Sequence, residues 1–278
     1  MIEPKVIYED KDFLVLDKPA GLLVHRTRFD VGSERLDDRG LDVRSGKLGA
    51  KTSNIQRLSS NGPEDTLVDW LVKRYPEVKK VGDDPETRPG IVHRLDRDTS
   101  GVMLVARNQE HFLYLKSLFQ EHKVEKTYLA LVFGKFKEKE GVINKPIGIK
   151  SGTIKRSTHS GKMAKEAVTE YEVLRTVRGK KLDVGRKEAD FSLLKIYPKT
   201  GRTHQIRVHL ASIGHPVVGD ELYGKSKKKL EVSRLMLHAQ AIEFNSENGE
   251  KLRFEADVPR DFLDILKSLE ESKGATPH

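Results

Sequence analysis

Residues 93–101 read "HRLDRDTSG" and lie between two apolar segments of strand length, "GIVHRL" and "GVMLVARN". The stretch places one carboxylate, Asp96, between Arg94 and Arg97, and it ends in three small residues that suit a turn. Neighbouring cations favour the ionised form of a carboxylate, which suits a nucleophile or a base and not a proton donor. The stretch alone fits either a surface turn with ion pairs or an active-site loop facing an anionic polymer.

Strand-like patterns continue on both sides of this stretch, in runs with few helices between them. Such runs favour an α+β fold with a mainly antiparallel, mixed central sheet flanked by helices and loops. An alternating parallel architecture is disfavoured for the same reason. The predicted strands lie near Val6–Tyr8, Phe13–Asp17, 90–95, 101–108, 126–136, 141–149, 166–176, 189–197, 235–244 and 251–256.

Four segments have helical periodicity. Asp65 or Thr66 is predicted to cap the first helix, and "QEHFLYLKSLFQEH" and "RDFLDILKSL" predict two others. The remaining one, "RTHQIRVHLASIG", is predicted to begin at a Thr203 cap and to stop at Gly214. Arg207 shares a face of that helix with small residues, so its guanidinium can reach a carboxylate and bind it with two parallel hydrogen bonds.

The chain of 278 residues predicts a single catalytic domain over 1–278, with no separate N-terminal RNA-binding module. Residues 26–64 are polar, charged and without a sustained period, which predicts a mobile insertion. The polar end, 271–278, predicts a frayed tail. We expect the protein to be a monomer.

Charge and motif content narrow the classes of function. Lys and Arg number 51 against 42 Asp and Glu, a net charge of +9 that suggests a polyanionic partner such as nucleic acid. With 0 cysteines there is no disulfide, thiolate catalyst or iron–sulfur cluster, which fits a cytoplasmic protein. No apolar run reaches membrane-spanning length, so no membrane partner is expected. No P-loop, dinucleotide fingerprint or EF-hand loop is present, and His204 and His209 fall on different helix faces, so neither cofactor nor metal is predicted.

Five stretches together resemble the RluA-type pseudouridine synthases. "HRLDRDTSG" is similar to the catalytic motif of that family, and "KTGRTHQIRVHL" at 199–210 is similar to its downstream arginine motif. "DKPAG" at 17–21, "KTYLA" at 126–130 and "LMLHA" at 235–239 also match, in the order of the family. The resemblance covers nearly the whole chain except 26–64, and it favours the active-site interpretation of Asp96.

The resemblance implies an isomerase that converts uridine within RNA, either a ribosomal or a transfer RNA stem-loop, to pseudouridine without a cofactor. Asp96 is then the essential catalytic carboxylate, Arg207 pairs with it, and Tyr128 contacts the target base. Arg94 matches a position whose side chain can fill the space left by the extruded nucleotide. Further basic residues are predicted to contact the RNA: His93, Arg97, Arg202, His204, Lys227, Lys228 and Lys229.

Two other classes of function compete with this interpretation. A catalytically silent RNA-binding protein could use the same fold, although the presence of Asp96, Tyr128 and Arg207 argues against it. A glycoside hydrolase would need two opposed carboxylates around a sugar, and only Asp96 lies in a matching motif. The sequence does not distinguish ribosomal from transfer RNA, and it leaves open whether Asp96 attacks the sugar, attacks the base or removes a sugar proton.

Overall fold

The computed structural model describes residues 2–26, 65–149, 155–158, 162–177, 189–224, 230 and 232–271. Apart from Arg26, the predicted insertion at 26–64 lies outside these residues. The lysines at 227–229 and the predicted tail beyond residue 271 lie outside them too. Within the described ranges, no helix is long and apolar enough to cross a membrane.

The elements follow the order expected for an α+β chain. The described helices are α1 (Leu67–Arg74), α2 (Gln109–Gln120), α3 (Gln205–Ser212) and α4 (Arg260–Glu271), with a 3-10 helix at Pro76–Lys80. The described strands are β1 (Lys5–Glu9), β2 (Phe13–Lys18), β3 (Ser100–Ala106), β4 (Glu125–Phe133), β5 (Glu140–Asn144), β6 (Ile147–Ile149), β7 (Arg156–Ser157), β8 (Lys162–Lys165), β9 (Val168–Val177), β10 (Phe191–Pro198), β11 (Leu237–Asn245) and β12 (Lys251–Glu255).

A large mixed sheet runs through the described part of the chain. Its strand order is β1-β2-β3-β11-β4-β10-β9-β5, and β12 pairs with β11. Within this sheet β3 and β11 pair in parallel, and the other pairs are antiparallel. A smaller sheet has the order β7-β6-β8. The predicted α+β class with a mainly antiparallel, mixed sheet is therefore confirmed.

The central strands are buried on both faces because helices cover both sides of the sheet. Successive side chains of a strand point to opposite faces. Accordingly, Val102 and Leu104 of β3 pack with α2, while Met103 and Val105 pack with α1. A third cluster joins α3 and α4 to β4 and β10. Each fully buried Leu or Val contributes about 1.5–3 kcal/mol to stability, so these layers hold the site on a rigid base.

The predicted strand at 90–95 is wrong. Only Ile91 forms a β-bridge, to Val105 of β3. The Ala106 amide donates to the Gly90 carbonyl at 2.9 Å, but the Leu104 amide donates to the His93 ring at Nε2, at 2.8 Å. A histidine side chain thus takes the place of the backbone carbonyl that would accept this hydrogen bond in a β-ladder. The chain after His93 is thereby released from the sheet and turns toward the site.

Gly101 has a packing role. The expectation from sequence was a sharp turn at the small residues that precede β3, but Gly101 lies within β3 with φ of +117°. A Cβ there would meet the Ala239 carbonyl oxygen at 2.1 Å. Only glycine permits both this backbone conformation and the close approach of β3 to β11.

Thr203 does not cap α3, contrary to the prediction. The N-cap is His204, which adopts a left-handed conformation (φ 56°, ψ 20°) and makes no side-chain capping bond. Instead, the Gln205 side-chain oxygen accepts from the Thr200 hydroxyl at 2.6 Å and from the Arg202 amide at 3.0 Å. A buried glutamine therefore organises the turn, and the left-handed residue reorients the chain into α3.

Candidate active site

Asp96 lies in the turn that leads into β3. Its carbonyl accepts a hydrogen bond from the Thr99 amide at 3.2 Å, and the preceding residue, Leu95, is buried. The Asp96 side chain is 21% exposed. It lines a cleft of about 740 Å³ that also contains Tyr128, Arg207 and Leu237. The turn therefore presents one carboxylate to a space large enough for a nucleotide.

A buried lysine at the end of β2 holds this turn. Lys18 is completely excluded from solvent, and its ammonium donates to three carbonyl oxygens, at 2.8, 2.8 and 2.9 Å: those of Pro19, Leu22 and Arg97. Burial lowers the pKa of Lys18 to about 7, but three acceptors require the three N–H groups that only the ammonium form has. Lys18 thus joins the 19–22 loop to the residue that follows Asp96.

Arg207, from α3, is the cation in contact with Asp96. Its Nη1 donates to Asp96 Oδ2 at 3.0 Å. The predicted partners Arg94 and Arg97 are directed elsewhere: Arg94 Nη1 lies 3.4 Å from His25 Nε2, and Arg97 Nε donates to the Gly21 carbonyl at 3.2 Å. The predicted pairing of Arg207 with Asp96 is observed, whereas the expectation that the neighbouring arginines surround Asp96 is wrong.

Two other nitrogens of the Arg207 guanidinium bind a second carboxylate, that of Asp220. Nε donates to Asp220 Oδ2 at 2.8 Å and Nη2 donates to Asp220 Oδ1 at 3.0 Å. The Asp220 side chain is 0% exposed, and its Oδ1 also accepts from the amides of Leu222 and Tyr223 at 2.9 and 3.0 Å. Burial alone would lower the pKa of Arg207, but the bonds and charges of Asp220 and Asp96 raise it above its ordinary value. Arg207 is therefore a fixed cation.

Tyr223 packs against the guanidinium of Arg207. Its ring lies 5.3 Å from the Arg207 guanidinium carbon, and its hydroxyl accepts from the Arg156 amide at 3.1 Å. Burial raises the pKa of Tyr223 to about 12, so the hydroxyl keeps its proton. This hydroxyl lies 2.9 Å from His204 Nδ1, and His204 Nε2 lies 3.9 Å from Asp96 Oδ1.

Tyr128 lies on β4 and lines the same cleft as Asp96. Its strand neighbours are Ile196 of β10 and Ala239 of β11. Burial, and then the charge of Asp96, raise the pKa of Tyr128 above its ordinary value. Its hydroxyl therefore remains protonated, and the residue can offer a neutral aromatic surface beside the carboxylate.

The other predicted RNA contacts are distributed around this centre. His93, Arg94, Arg202 and His204 line the cleft. The ring of His93 also stacks on Phe119 at 4.5 Å, and burial lowers its pKa to about 3, so it is neutral and supports the loop. Arg202 Nε donates to the Glu166 carbonyl at 3.0 Å. The predicted lysines at 227–229 lie outside the described residues.

Sequence reasoning missed four residues of the site: Lys18, Lys126, Asp220 and Tyr223. Lys18 and Lys126 lie inside the quoted motifs "DKPAG" and "KTYLA", so a local signal existed for both. Asp220 follows a glycine in the irregular segment after α3, where no periodicity marks a buried carboxylate. Within the described ranges, no group of three or more His, Asp or Glu side chains is arranged to hold a metal ion.

Comparison with known proteins identifies the family of the chain. Residues 12–212 match the RNA pseudouridylate synthase family. The ribosomal large subunit pseudouridine synthase D of Borreliella burgdorferi is 32% identical over 267 residues, covering 96% of this chain and 69% of that protein. An uncharacterized RNA pseudouridine synthase of Aquifex aeolicus is 36% identical over 274 residues, covering 96% and 73%. The solved structure of Human RNA Pseudouridylate Synthase Domain Containing 1 has a TM-score of 0.64 at 24% identity, covering 96% and 94%, which supports the fold.

The chain belongs to the RNA pseudouridylate synthase family. Its activity is the isomerisation of uridine in RNA to pseudouridine, so its substrate is RNA. The family and enzyme class predicted from the sequence are confirmed, and nothing in these comparisons favours the catalytically silent alternative.

Proposed function

We propose that the protein modifies uridines in structured RNA of the large ribosomal subunit, with Asp96 as the catalytic carboxylate. The named relatives in Borreliella burgdorferi, Nitrosomonas europaea and Pseudomonas aeruginosa are ribosomal large subunit pseudouridine synthases D. The observation that carries the assignment of the site is the placement of Asp96 in the cleft, with Oδ2 held by Arg207 at 3.0 Å.

The reaction requires a charged oxygen beside the nucleotide. The bond between N1 and C1′ breaks, the uracil turns, C5 bonds to C1′, the C5 proton leaves and N1 gains a proton. Nothing is oxidised or hydrolysed. A carboxylate can act by attacking C1′, by attacking the base or by removing a sugar proton. In the described residues, Asp96 Oδ1 has no partner closer than His204 Nε2 at 3.9 Å, so this oxygen can serve any of the three roles.

Tyr128 and Arg94 have different proposed roles when the uridine is extruded from the RNA. The aromatic ring of Tyr128 offers the uracil a stacking surface within the cleft. Arg94 is exposed at the cleft, where its guanidinium can occupy the space that the uridine leaves in the RNA stack. Extrusion is necessary because the reacting atoms of a stacked base are otherwise inaccessible.

Further side chains complete the proposed RNA footprint. Arg202 and His204 immediately precede α3, and Arg97 and the neutral ring of His93 belong to the loop that carries Asp96. The loop with Lys227, Lys228 and Lys229 is proposed to contact phosphates. We further propose that the protein acts as a monomer and forms a single catalytic domain.

The test combines cells with purified protein. Pseudouridine mapping of total RNA with and without the gene should show the loss of specific sites in large-subunit ribosomal RNA. Loss confined to transfer RNA would refute the ribosomal assignment while leaving the chemistry intact. Purified protein should convert a matching transcript and release no free uracil. Free uracil would indicate hydrolysis, and binding without product would indicate a silent RNA-binding protein.

A further inference from the structure

Lys126 is a second cation of the cleft, half-buried in its wall, and the reaction at Asp96 leaves it without a role. It lies on β4 two residues before Tyr128, so both side chains point to the same face about 6–7 Å apart. Both residues line the cleft. The pairing of β10 with β4 ends at Ile196 and Tyr128. Lys126 therefore lies beyond the last residue that pairs with β10, although it still pairs with Ile242 of β11.

The ammonium of Lys126 has no hydrogen-bond or ion-pair partner among the described residues, and it is not excluded from solvent, so only water satisfies it there. Burial lowers its pKa to about 8. The ionisable side chain facing it is His93, a neutral ring whose own pKa is lowered by burial and then by the Lys126 charge. Among the residues that the structure describes, no carboxylate compensates the charge of the lysine.

Lys18 shows how this protein satisfies a buried ammonium when its role is structural. Three carbonyl oxygens within 2.9 Å surround Lys18. A half-buried cation without such partners is only partly hydrated, so a ligand that supplies an acceptor can replace the remaining water. The contrast between the two lysines indicates that the acceptor for Lys126 enters the cleft with the substrate.

The geometry points to a phosphate as that acceptor: we propose that Lys126 binds a non-bridging oxygen of a phosphodiester flanking the extruded uridine and so holds its ribose against Asp96. The phosphodiester is the group of RNA that carries a full negative charge, and a lysine binds phosphate as a point charge. With the base beside Tyr128 and the ribose at Asp96, a phosphate that flanks the uridine comes close to the part of the cleft wall that Lys126 shares with Tyr128. This proposal depends on the proposed reaction at Asp96.

The test is a double-mutant cycle between protein and RNA. The protein variants are Lys126→Met, which removes the charge at similar length, and Lys116→Met as the matched control. Lys116 also lines the cleft but is already paired with Asp83 at 2.8 Å. The RNA is a hairpin with one target uridine and a neutral methylphosphonate on its 5′ or its 3′ side. Each hairpin with a methylphosphonate also carries a 2′-deoxy substitution at that linkage. It is therefore compared with a control hairpin that has the same 2′-deoxy substitution and a normal phosphate.

Lys126→Met should weaken the binding of the unmodified hairpin about ten- to hundredfold, as expected for a charge-assisted hydrogen bond. One methylphosphonate should weaken wild-type binding by a similar factor and should not weaken Lys126→Met further. The Lys116→Met variant should keep the full methylphosphonate penalty. If both methylphosphonates weaken Lys126→Met as much as they weaken the wild type, the phosphate contact does not exist.

Stability gives an independent readout. Because the ammonium lacks a partner without RNA, Lys126→Met should melt at the same temperature as the wild type or higher. A lower melting temperature would mean that the charge is already satisfied within the protein, and the proposal would be wrong. The proposed function is tested separately, because it is wrong if the wild type forms no pseudouridine. In that case the binding cycle still tests the phosphate contact.

Discussion

Arg207 donates two parallel hydrogen bonds to the fully buried carboxylate of Asp220, at 2.8 and 3.0 Å. The third nitrogen, Nη1, donates to Asp96. The buried pair fixes the guanidinium, and the fixed guanidinium in turn orients Asp96 while leaving one of its oxygens to the substrate. We therefore propose that Asp220 is a positioning residue that acts on Asp96, the proposed catalytic carboxylate, through Arg207.

Replacement of Asp220 should damage both stability and catalysis. Asp220→Asn leaves Arg207 with half of its charge compensation, which typically costs about 3–5 kcal/mol for a buried pair. Arg207 should then turn toward Asp96 and bind both of its oxygens, so kcat should fall more than RNA affinity. Urea unfolding and single-turnover kinetics measure the two effects. Asp83→Asn, at a half-exposed pair with Lys116, should cost less than about 1 kcal/mol.

Lysine cannot replace Arg207. An ammonium is a point charge without the planar fork, so it cannot hold Asp220 with two parallel bonds and contact Asp96 as well. Arg207→Lys should lower kcat at least about tenfold, corresponding to the loss of one charge-assisted hydrogen bond of about 1.5–3 kcal/mol. Unchanged kinetics in Arg207→Lys would show that the bidentate geometry has no catalytic importance.

Lys18 should be required for the conformation of the Asp96 turn. Lys18→Met leaves the Pro19 and Leu22 carbonyl oxygens without their lysine donor, whereas the Arg97 carbonyl still accepts from the Gly21 amide at 2.9 Å. Each unsatisfied group costs about 1–3 kcal/mol, so the free energy of unfolding should fall by at least about 2 kcal/mol, and kcat should fall with it. Lys123→Met is the control, since Lys123 is 64% exposed and pairs with Glu121 at the surface. Equal stability of the two variants would contradict the structural role of Lys18.

A buried neutral histidine on β11 should make the fold sensitive to acid. His238 is 0% exposed. Its Nε2 donates to the Ala256 carbonyl at 3.3 Å, and its Nδ1 accepts from the Ser100 hydroxyl at 2.9 Å. Burial lowers the pKa of His238 to about 4, below the ordinary value of about 6.5. The stabilising contribution is present above pH 6.5, because the unfolded chain binds the proton more readily, and it is lost as pH falls toward 4.

The free energy of unfolding should therefore drop by about 1.4 kcal/mol for each pH unit below 6.5 on account of this residue. Urea unfolding at pH 7, 6 and 5 measures the slope. His238→Asn should flatten it, whereas His122→Asn, at an exposed position, should not. Identical slopes for wild type and His238→Asn would place the acid sensitivity elsewhere.

The sequence predicts the fold class and much of the site because both depend on local patterns. Strand periodicity and contiguous motifs identify β3, β4 and α3 together with Asp96, Tyr128 and Arg207. The predicted strand at 90–95 fails because the His93 side chain replaces a backbone acceptor, which an apolar pattern does not reveal. Asp220 is missed because its partner is set by the packing of the irregular segment after α3 against that helix, a tertiary contact without a local signature.

Asp96→Asn tests the central claim most directly, because it keeps the shape of the side chain and removes its charge. Pseudouridine formation and binding affinity are measured on an RNA that the wild type modifies, with Asp98→Asn at the exposed neighbouring carboxylate as the control. We expect Asp96→Asn to form no pseudouridine while binding the RNA within a few fold of the wild type, and Asp98→Asn to remain active. Near-wild-type turnover by Asp96→Asn would contradict the account.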